Sequence, residues 1–353
     1  MNMGENAVPG ETSTVKTKNQ AASVNRRVRP PDIAVQFGSV GRDVPLRLTQ
    51  VACYLISAHN WSMRYHGMVI RPPSEANSYI LQVSYGCSHN RCTFCGTYMD
   101  KPFQVRPMQE VLEDIAIAQS RFPDTRCVFL ADGNALVLDT ESLTRIMEAL
   151  ASGFPRLRRV GIYANARDVL GKTDVELAAL RQRKLTIVYL GLESGSDEVL
   201  RRVQKEITAA EMVEAVRKLR RAEMRTSVIA LLGIGGTELS AEHAEETARV
   251  VGAMDPEYFS MLTVMLIPGT GLYQQWRQGT FELPQPENLL HELRQVIAHC
   301  DGLSRCVFRS NHASNYLPLA GTLSRDKAEL LASIDEALAQ GRSALRPEAW
   351  RAL

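Results

Sequence analysis

Three thiols crowd into nine residues of this chain. Cys87, Cys92 and Cys95 lie in the segment Tyr85-Gly86-Cys87-Ser88-His89-Asn90-Arg91-Cys92-Thr93-Phe94-Cys95-Gly96-Thr97-Tyr98. Thiolates on one short loop can converge on a single metal centre, and soft sulfur selects iron–sulfur clusters, zinc or copper. A [4Fe–4S] cluster normally takes four Cys, so three leave one iron open to a ligand from outside the protein. The same loop offers a second chemistry. With His89 the three thiols make a Cys3His set for structural zinc, although such sites usually draw on two spaced ligand pairs. The total of seven Cys is odd and, over 353 residues, is not a disulfide framework. Cys53, Cys127, Cys300 and Cys306 read as ordinary thiols. Cys127 falls inside an apolar run where a small buried hydrophobe fits. Cys300 and Cys306 lack the tight pairing expected of an auxiliary cluster.

The elements that must position this loop begin at Ser78. Strand candidates are residues 79–83, 127–131, 160–164, 186–190, 227–232 and 258–266. They are near-continuous apolar runs rather than alternations, as expected of strands buried on both faces. Helices with clear start signals lie between them. Thr173-Asp174-Val175-Glu176 and Thr208-Ala209-Ala210-Glu211 both read as capping boxes. In the second, Met212, Val213, Val216 and Leu219 form the apolar stripe, while Glu211, Glu214, Arg217 and Lys218 face water. Strand–helix alternation at this spacing predicts a parallel sheet covered by helices. Six units predict an α/β fold, a partial (βα)6 TIM-like barrel, with the cysteine loop directly after its first strand. The C-terminal ends of parallel strands are where α/β folds place active sites. The pattern breaks at Pro268-Gly269-Thr270-Gly271, and helices follow near 288–298 and 326–339. The expected organisation is a flexible polar tail over 1–45, an N-terminal extension over 46–77, the barrel over 78–268 and a helical C-terminal extension over 269–353.

The loop, its place after the first strand and the six units resemble the radical S-adenosylmethionine (SAM) superfamily. In that superfamily three Cys hold the cluster, here Cys87, Cys92 and Cys95, and the amine and carboxylate of SAM chelate the fourth iron. Reduction then cleaves SAM to a 5′-deoxyadenosyl radical that abstracts hydrogen. Phe94 matches the hydrophobic position before the third Cys. The usual first spacing is three residues, whereas four separate Cys87 from Cys92, which bears on loop details. The resemblance implies cofactor contacts at strand ends. Asp132, with Gly133 allowing close backbone approach, would bond the SAM amine; alternatively Asp132 simply begins a turn. Glu193, in Gly191-Leu192-Glu193-Ser194-Gly195-Ser196, looks like the ribose-contacting stretch of oxygen-independent coproporphyrinogen oxidases and cobalamin-type radical SAM proteins. It also suits the N-terminus of the next helix, worth ~0.3–1 kcal/mol. Lys205 is either a cation for the SAM carboxylate or a solvated lysine. Gly233, in Leu232-Gly233-Ile234-Gly235-Gly236-Thr237-Glu238, matches the segment lying against adenosine. That run is neither a phosphate loop, lacking a following Gly-Lys-Ser/Thr, nor a dinucleotide fingerprint, since Glu238 takes the last Gly position. Ile267-Pro268-Gly269-Thr270 resembles an adenine-side wall.

Composition narrows the partners. Lys plus Arg number 41 and Asp plus Glu 39, a formal charge of +2 that argues against general affinity for phosphate backbones or acidic membranes. The only basic feature, Arg26, Arg27 and Arg29 before Pro30 and Pro31, reads on composition as part of a solvated tail rather than an RNA-binding arm. An RNA-modifying enzyme would bring a basic appended domain, so a nucleic-acid substrate is disfavoured and a small molecule preferred. Too few residues precede Ser78 for a cobalamin-binding domain. The longest candidate span, residues 51–56, is far below the ~20 residues a membrane helix needs, and no signal peptide is evident. A reducing, cytoplasmic compartment is expected, with a low-potential electron donor such as flavodoxin or ferredoxin. Residues 309–316 mix donors and acceptors: Arg309 or His312 could bind an anion, or the stretch is a loop satisfying its own backbone. The competing functions are therefore a radical SAM enzyme and a zinc-stabilised scaffold without radical chemistry.

Overall fold

The computed structural model describes residues 64–352, all within one compact unit, 49–353. The tail, its arginines, Cys53 and the 51–56 run lie outside the described residues. In chain order the elements are β1 (Tyr79–Gln82), β2 (Ser84–Tyr85), β3 (Gln104–Val105), α1 (Met108–Arg121), β4 (Cys127–Ala131), α2 (Thr140–Gly153) and β5 (Arg159–Ala164). There follow α3 (Ala166–Gly171), α4 (Asp174–Gln182), β6 (Leu185–Glu193), α5 (Asp197–Arg202), α6 (Ala209–Arg221), β7 (Arg225–Leu232), α7 (Ser240–Met254) and β8 (Tyr258–Thr263). The chain closes with α8 (Gly271–Arg277), α9 (Pro286–His299), β9 (Val307–Arg309), β10 (Ala320–Thr322) and α10 (Leu323–Gln340).

One sheet runs in the order β1-β4-β5-β6-β7-β8-β9-β10. It is parallel from β1 to β9, with β10 antiparallel at the edge. Its two edge strands are not paired with one another, so the barrel is partial. The six expected strands are β1 and β4 to β8, the last stopping at Thr263 rather than 266. Both capping boxes form: Thr173 with Glu176 starts α4, and Thr208 with Glu211 starts α6. The helical C-terminal part carries two short strands that the sequence pattern did not reveal, because three residues are too few to show a period.

Each central strand has two buried faces, which is why its apolar run is continuous. Leu81, Val128, Leu130, Val160, Ile162, Val188, Leu190 and Val228 pack beneath the helices. Ile80, Phe129, Ala131, Ile187 and Tyr189 form a separate cluster on the opposite, inner face. There the Phe129, Tyr163 and Tyr189 rings meet edge to face, with centroids 4.9 to 6.0 Å apart. The segment before β1 lines this inner face. Tyr65 donates its hydroxyl to the Ile80 carbonyl at 2.7 Å, and the His66 amide donates to Gln82 Oε1 at 2.9 Å. Farther along, the fully buried Glu75 accepts from Ser78 Oγ, from Tyr189 Oη at 2.6 Å and from Arg159 Nη1 at 2.5 Å. Three donors repay the desolvation of that carboxylate.

Residues 309–316 prove to be bonded mainly within the fold. Asn315 Nδ2 donates to the carbonyls of Met261 and Ser310, and its Oδ1 accepts from Thr263 Oγ1 at 2.8 Å. His312 Nδ1 pairs with Ser314 Oγ, while Arg346 Nη1 donates to the His312, Ala313 and Asn315 carbonyls. Arg309 ends β9 in register with Ser260 and is exposed. The Glu75 cluster gives a prediction. Replacing Glu75 with Ala should lower unfolding free energy by about 2–4 kcal/mol, read from the urea midpoint, because a half-buried guanidinium and two hydroxyls lose their buried acceptor. A midpoint unchanged from the parent would show that the cluster does not hold the pre-β1 segment.

Candidate active site

The cysteine loop leaves the sheet just after β2. At its start the Gly86 amide donates to Asp132 Oδ2 at 3.1 Å, and the Gly133 amide donates to the Gly86 carbonyl at 3.1 Å. In its middle, Thr93 donates to the Val203 carbonyl at 3.0 Å and accepts from the Leu272 amide at 2.8 Å. The loop is thus fastened to the ends of β4 and α5 and to the start of α8. Within the first cysteine spacing, Asn90 has a left-handed φ of 39° and its Nδ2 donates to the Tyr98 carbonyl at 3.0 Å. Asn134, fully buried, bridges Ser88 Oγ and Asp168 Oδ2, each at 2.6 Å.

The three thiols line a cavity of about 220 Å³ at the C-terminal edge of the sheet. Phe94, Gly133, Glu193 and Lys205 line it too, so seven of the nine residues singled out from sequence meet there. Tyr98, Tyr163, Tyr189, Ile70 and Asn165 complete much of the wall. Sequence reading missed these. Tyr163 and Tyr189 are inward-facing members of strands, a direction only barrel curvature assigns. Wider depressions of about 540 and 700 Å³ lie beside α1–α2 and α7–α9, but neither is lined by a thiol. Chemistry rather than volume marks the site.

Burial pushes the Cys92 thiol up to about 12, with Lys205 opposing, and raises Cys95 as well. Such thiols ionise readily only when a metal cation supplies the compensating charge. The donor set and its position suit an iron–sulfur cluster. Among the described residues, no three His, Cys, Asp or Glu side chains are gathered to hold a single ion. A cluster spreads its cysteines over separate irons and needs no such convergence. His89, the fourth ligand a zinc site would require, instead pairs through Nε2 with the Gln204 carbonyl at 2.7 Å.

Lys205 is neither solvated nor free: its Nζ lies 2.8 Å from Glu193 Oε1, and both side chains are nearly buried. Burial works against the ammonium, yet the Glu193 carboxylate and the Cys92 thiol hold its pKa above the ordinary lysine value. Phe94 packs with Val199, Val203, Ile234, Val264 and Leu272 while reaching the cavity. Gly133 leaves no room for a side chain, since a Cβ would stand 2.5 Å from the Tyr98 ring and 3.1 Å from Cys87 Cβ.

Two residues stand elsewhere. Asp132 does not line the cavity. It is wholly buried behind Gly133, its Oδ2 accepting from Gln82 at 2.9 Å, the Gly86 amide and Lys101 Nζ at 3.1 Å. Burial raises its pKa against those bonds, and Oδ1 has no partner. Gly233 also lies outside the cavity. Its φ of +79° turns the chain after β7, and its amide donates to Glu292 Oε1 at 2.6 Å, with Leu289 and Leu283 against it. It therefore faces α9.

Residues 81–251 match the sequence profile of the radical SAM superfamily. The superfamily's cofactors are a [4Fe–4S] cluster and SAM. Curated relatives include the anaerobic magnesium-protoporphyrin IX monomethyl ester cyclase of Cereibacter sphaeroides, 26% identical over 62% of this chain and 35% of its own. The heme chaperone HemW of Bacillus subtilis is 22% identical over 60% of this chain and 56% of its own. The chain thus spans about a third to just over half of their lengths. Among solved structures, coproporphyrinogen III oxidase (HemN) from Escherichia coli aligns at 18% identity over 63% of this chain and 51% of its own, with a TM-score of 0.48.

The site makes two predictions. After anaerobic reconstitution, Cys87→Ala, Cys92→Ala and Cys95→Ala should each lose most iron and the broad visible absorbance. Cys300→Ala and Cys306→Ala, whose thiols are buried away from the cavity, should keep about four irons per chain. Equal losses across all five variants would contradict the assignment. Gly133→Ala should cost about 1–3 kcal/mol of stability through overpacking and lower iron retention, measured by melting and iron assay.

Proposed function

We propose that this chain is a radical SAM enzyme acting on a small molecule. The observation that carries the reading is the shared cavity, where three thiols, the Glu193–Lys205 pair and Phe94 meet at the C-terminal edge of a parallel sheet. Cys87, Cys92 and Cys95 would hold three irons of a [4Fe–4S] cluster and leave the fourth for the amine and carboxylate of SAM. When bound, these cofactors supply a one-electron cleavage and a 5′-deoxyadenosyl radical that takes hydrogen from the substrate.

The chain's own residues bind and orient. Lys205, held charged beside the thiols, offers a cation to a carboxylate, and Glu193 offers an acceptor to an ammonium or to ribose hydroxyls. Phe94 presents an apolar face to the nucleoside, with Gly133 allowing close approach. Tyr163 and Tyr189 close the floor against the buried Phe129 and keep water from the reacting atoms. Asp132 acts from behind the wall, holding the loop that carries the thiols.

Residues 78–268 would form the catalytic core and 269–353 an extension on its flank, with 1–45 and 46–77 preceding. The near balance of 41 basic and 39 acidic residues favours a small-molecule substrate over RNA. The relatives named for magnesium-protoporphyrin and heme agree with that preference, whereas others are named for tRNA methylthiolation. A low-potential donor such as flavodoxin or ferredoxin and a reducing, cytoplasmic setting complete the reading. Among the described residues, no helix is long and apolar enough to cross a membrane.

Anaerobically reconstituted protein, given dithionite and SAM, should form 5′-deoxyadenosine, and Cys92→Ala should reduce its formation by at least about a hundredfold, as expected when the electron source is removed. A colourless protein that retains one tightly bound zinc and leaves SAM intact would sink the reading and favour the scaffold.

A further inference from the structure

Glu193 reaches the cavity from an unusual backbone position. The Ser194 amide donates to the Leu192 carbonyl at 2.8 Å, closing a three-residue turn with Glu193 at its apex and φ at +62°. The register of β6 against β7 shifts at the same point. Positive-φ γ-turns are rare, and a non-glycine residue in one persists only when its surroundings over-determine it. On the cavity side the Lys205 ion pair supplies part of that restraint.

The rest comes from behind. Ser194 is fully buried, and its Oγ lies 2.8 Å from His243 Nδ1 on α7. The next residues follow suit: the Gly195 amide donates to Thr247 Oγ1 at 2.9 Å, and the Ser196 amide donates to Ser194 Oγ at 3.0 Å. His243 Nε2 in turn stands 3.5 Å from Glu292 Oε1 on α9. Glu292 also accepts from the Gly233 amide at 2.6 Å and from Ser240 Oγ. Both side chains are at most 1% exposed, and the sequence reading used neither.

Burial lowers the His243 pKa to about 4, so the imidazole is neutral. A neutral ring offers one acceptor and one donor. The surrounding groups suit Nδ1 accepting the Ser194 hydroxyl proton, with Thr247 Oγ1 at 3.4 Å from the same nitrogen, while Nε2 makes no hydrogen bond and has Glu292 Oε1 at 3.5 Å beside it. An imidazole and a carboxyl buried between two helices cost free energy that apolar side chains would not. Their cost is matched by what they grip: Ser194 on one side and Gly233 on the other.

We propose that His243, backed by Glu292, is a positioning residue that locks Ser194 and thereby keeps the Glu193 apex and its Lys205 partner turned into the cofactor cavity. The C-terminal extension, through α9, thus takes part in shaping the cavity. The role in SAM binding rests on the function proposed above; the locking of the turn does not.

The test uses the full chain with His243→Leu, His243→Asn, Ser194→Ala and Glu292→Gln. Hydrogen exchange on the iron-free protein reads the turn itself, independently of cofactor. In His243→Leu and Ser194→Ala, residues 191–196 should exchange about tenfold faster, the expected loss for one buried hydrogen bond. After reconstitution, the SAM KM should rise about tenfold with kcat within about twofold and the cluster absorbance unchanged. His243→Asn, which keeps a polar group within reach of Ser194, should recover most of the affinity, and Glu292→Gln should fall between the two. Should His243→Leu fail to fold, Ser194→Ala removes only the hydroxyl and carries the test. Folded variants with parental exchange and parental SAM KM would overturn the proposal. If the parent itself binds no SAM, the proposed function fails, and exchange alone decides whether His243 locks the turn.

Discussion

Both ends of the cysteine loop are tied to one buried carboxylate. Gly86 opens the loop and Lys101 follows it, and both donate to Asp132 Oδ2, which also takes the amide of Gln82 from β1. A charge with no exposure survives only with several donors, so burial makes these bonds obligatory rather than incidental. Lys101 extends the tie by donating to the Met68 carbonyl in the segment before β1. The loop, two adjacent strands and the inner lining of the barrel are joined through this one residue. Presentation of the thiols depends on it, although the carboxylate never faces the cavity.

The same low dielectric governs the cavity wall. Burial disfavours thiolates at Cys92 and Cys95, while the Lys205 ammonium opposes this at Cys92 and is itself held by Glu193. A soft, multiply charged metal centre would resolve this conflict, because thiolates and iron neutralise one another where water cannot. This is why the ion pair and the loop belong to one chemical unit rather than to separate surface features.

Restraint of the strand ends comes from a barrel helix and from a helix beyond the minimal barrel. The Glu193 turn is gripped from α7, and the Gly233 turn from α9. Residues 309–316 bond to the end of β8, so the C-terminal part continues the sheet and stiffens its far side. Packing of α9 on α7 makes these helices the frame behind two successive strand termini.

Much of this protein was legible as linear pattern. Continuous apolar runs located β1 and β4 to β8, since strands buried on two faces leave no polar position to interrupt them. Local chemistry located both capping boxes, because their hydrogen bonds join residues only three apart. Three Cys in one loop likewise announced a soft metal centre without reference to anything distant. Direction was not legible. Whether Asp132 pointed at a ligand or beneath the loop, and whether Gly233 faced the cavity or α9, depended on partners 31 to 59 residues away. The tyrosines of the cavity floor looked like ordinary strand residues until curvature gave the sheet an inside. The chain by itself therefore determined which elements form and what chemistry its loop can hold, because both rest on neighbouring residues. Tertiary structure alone decided which buried groups face the cavity and which brace it, because that depends on contacts between residues far apart in sequence.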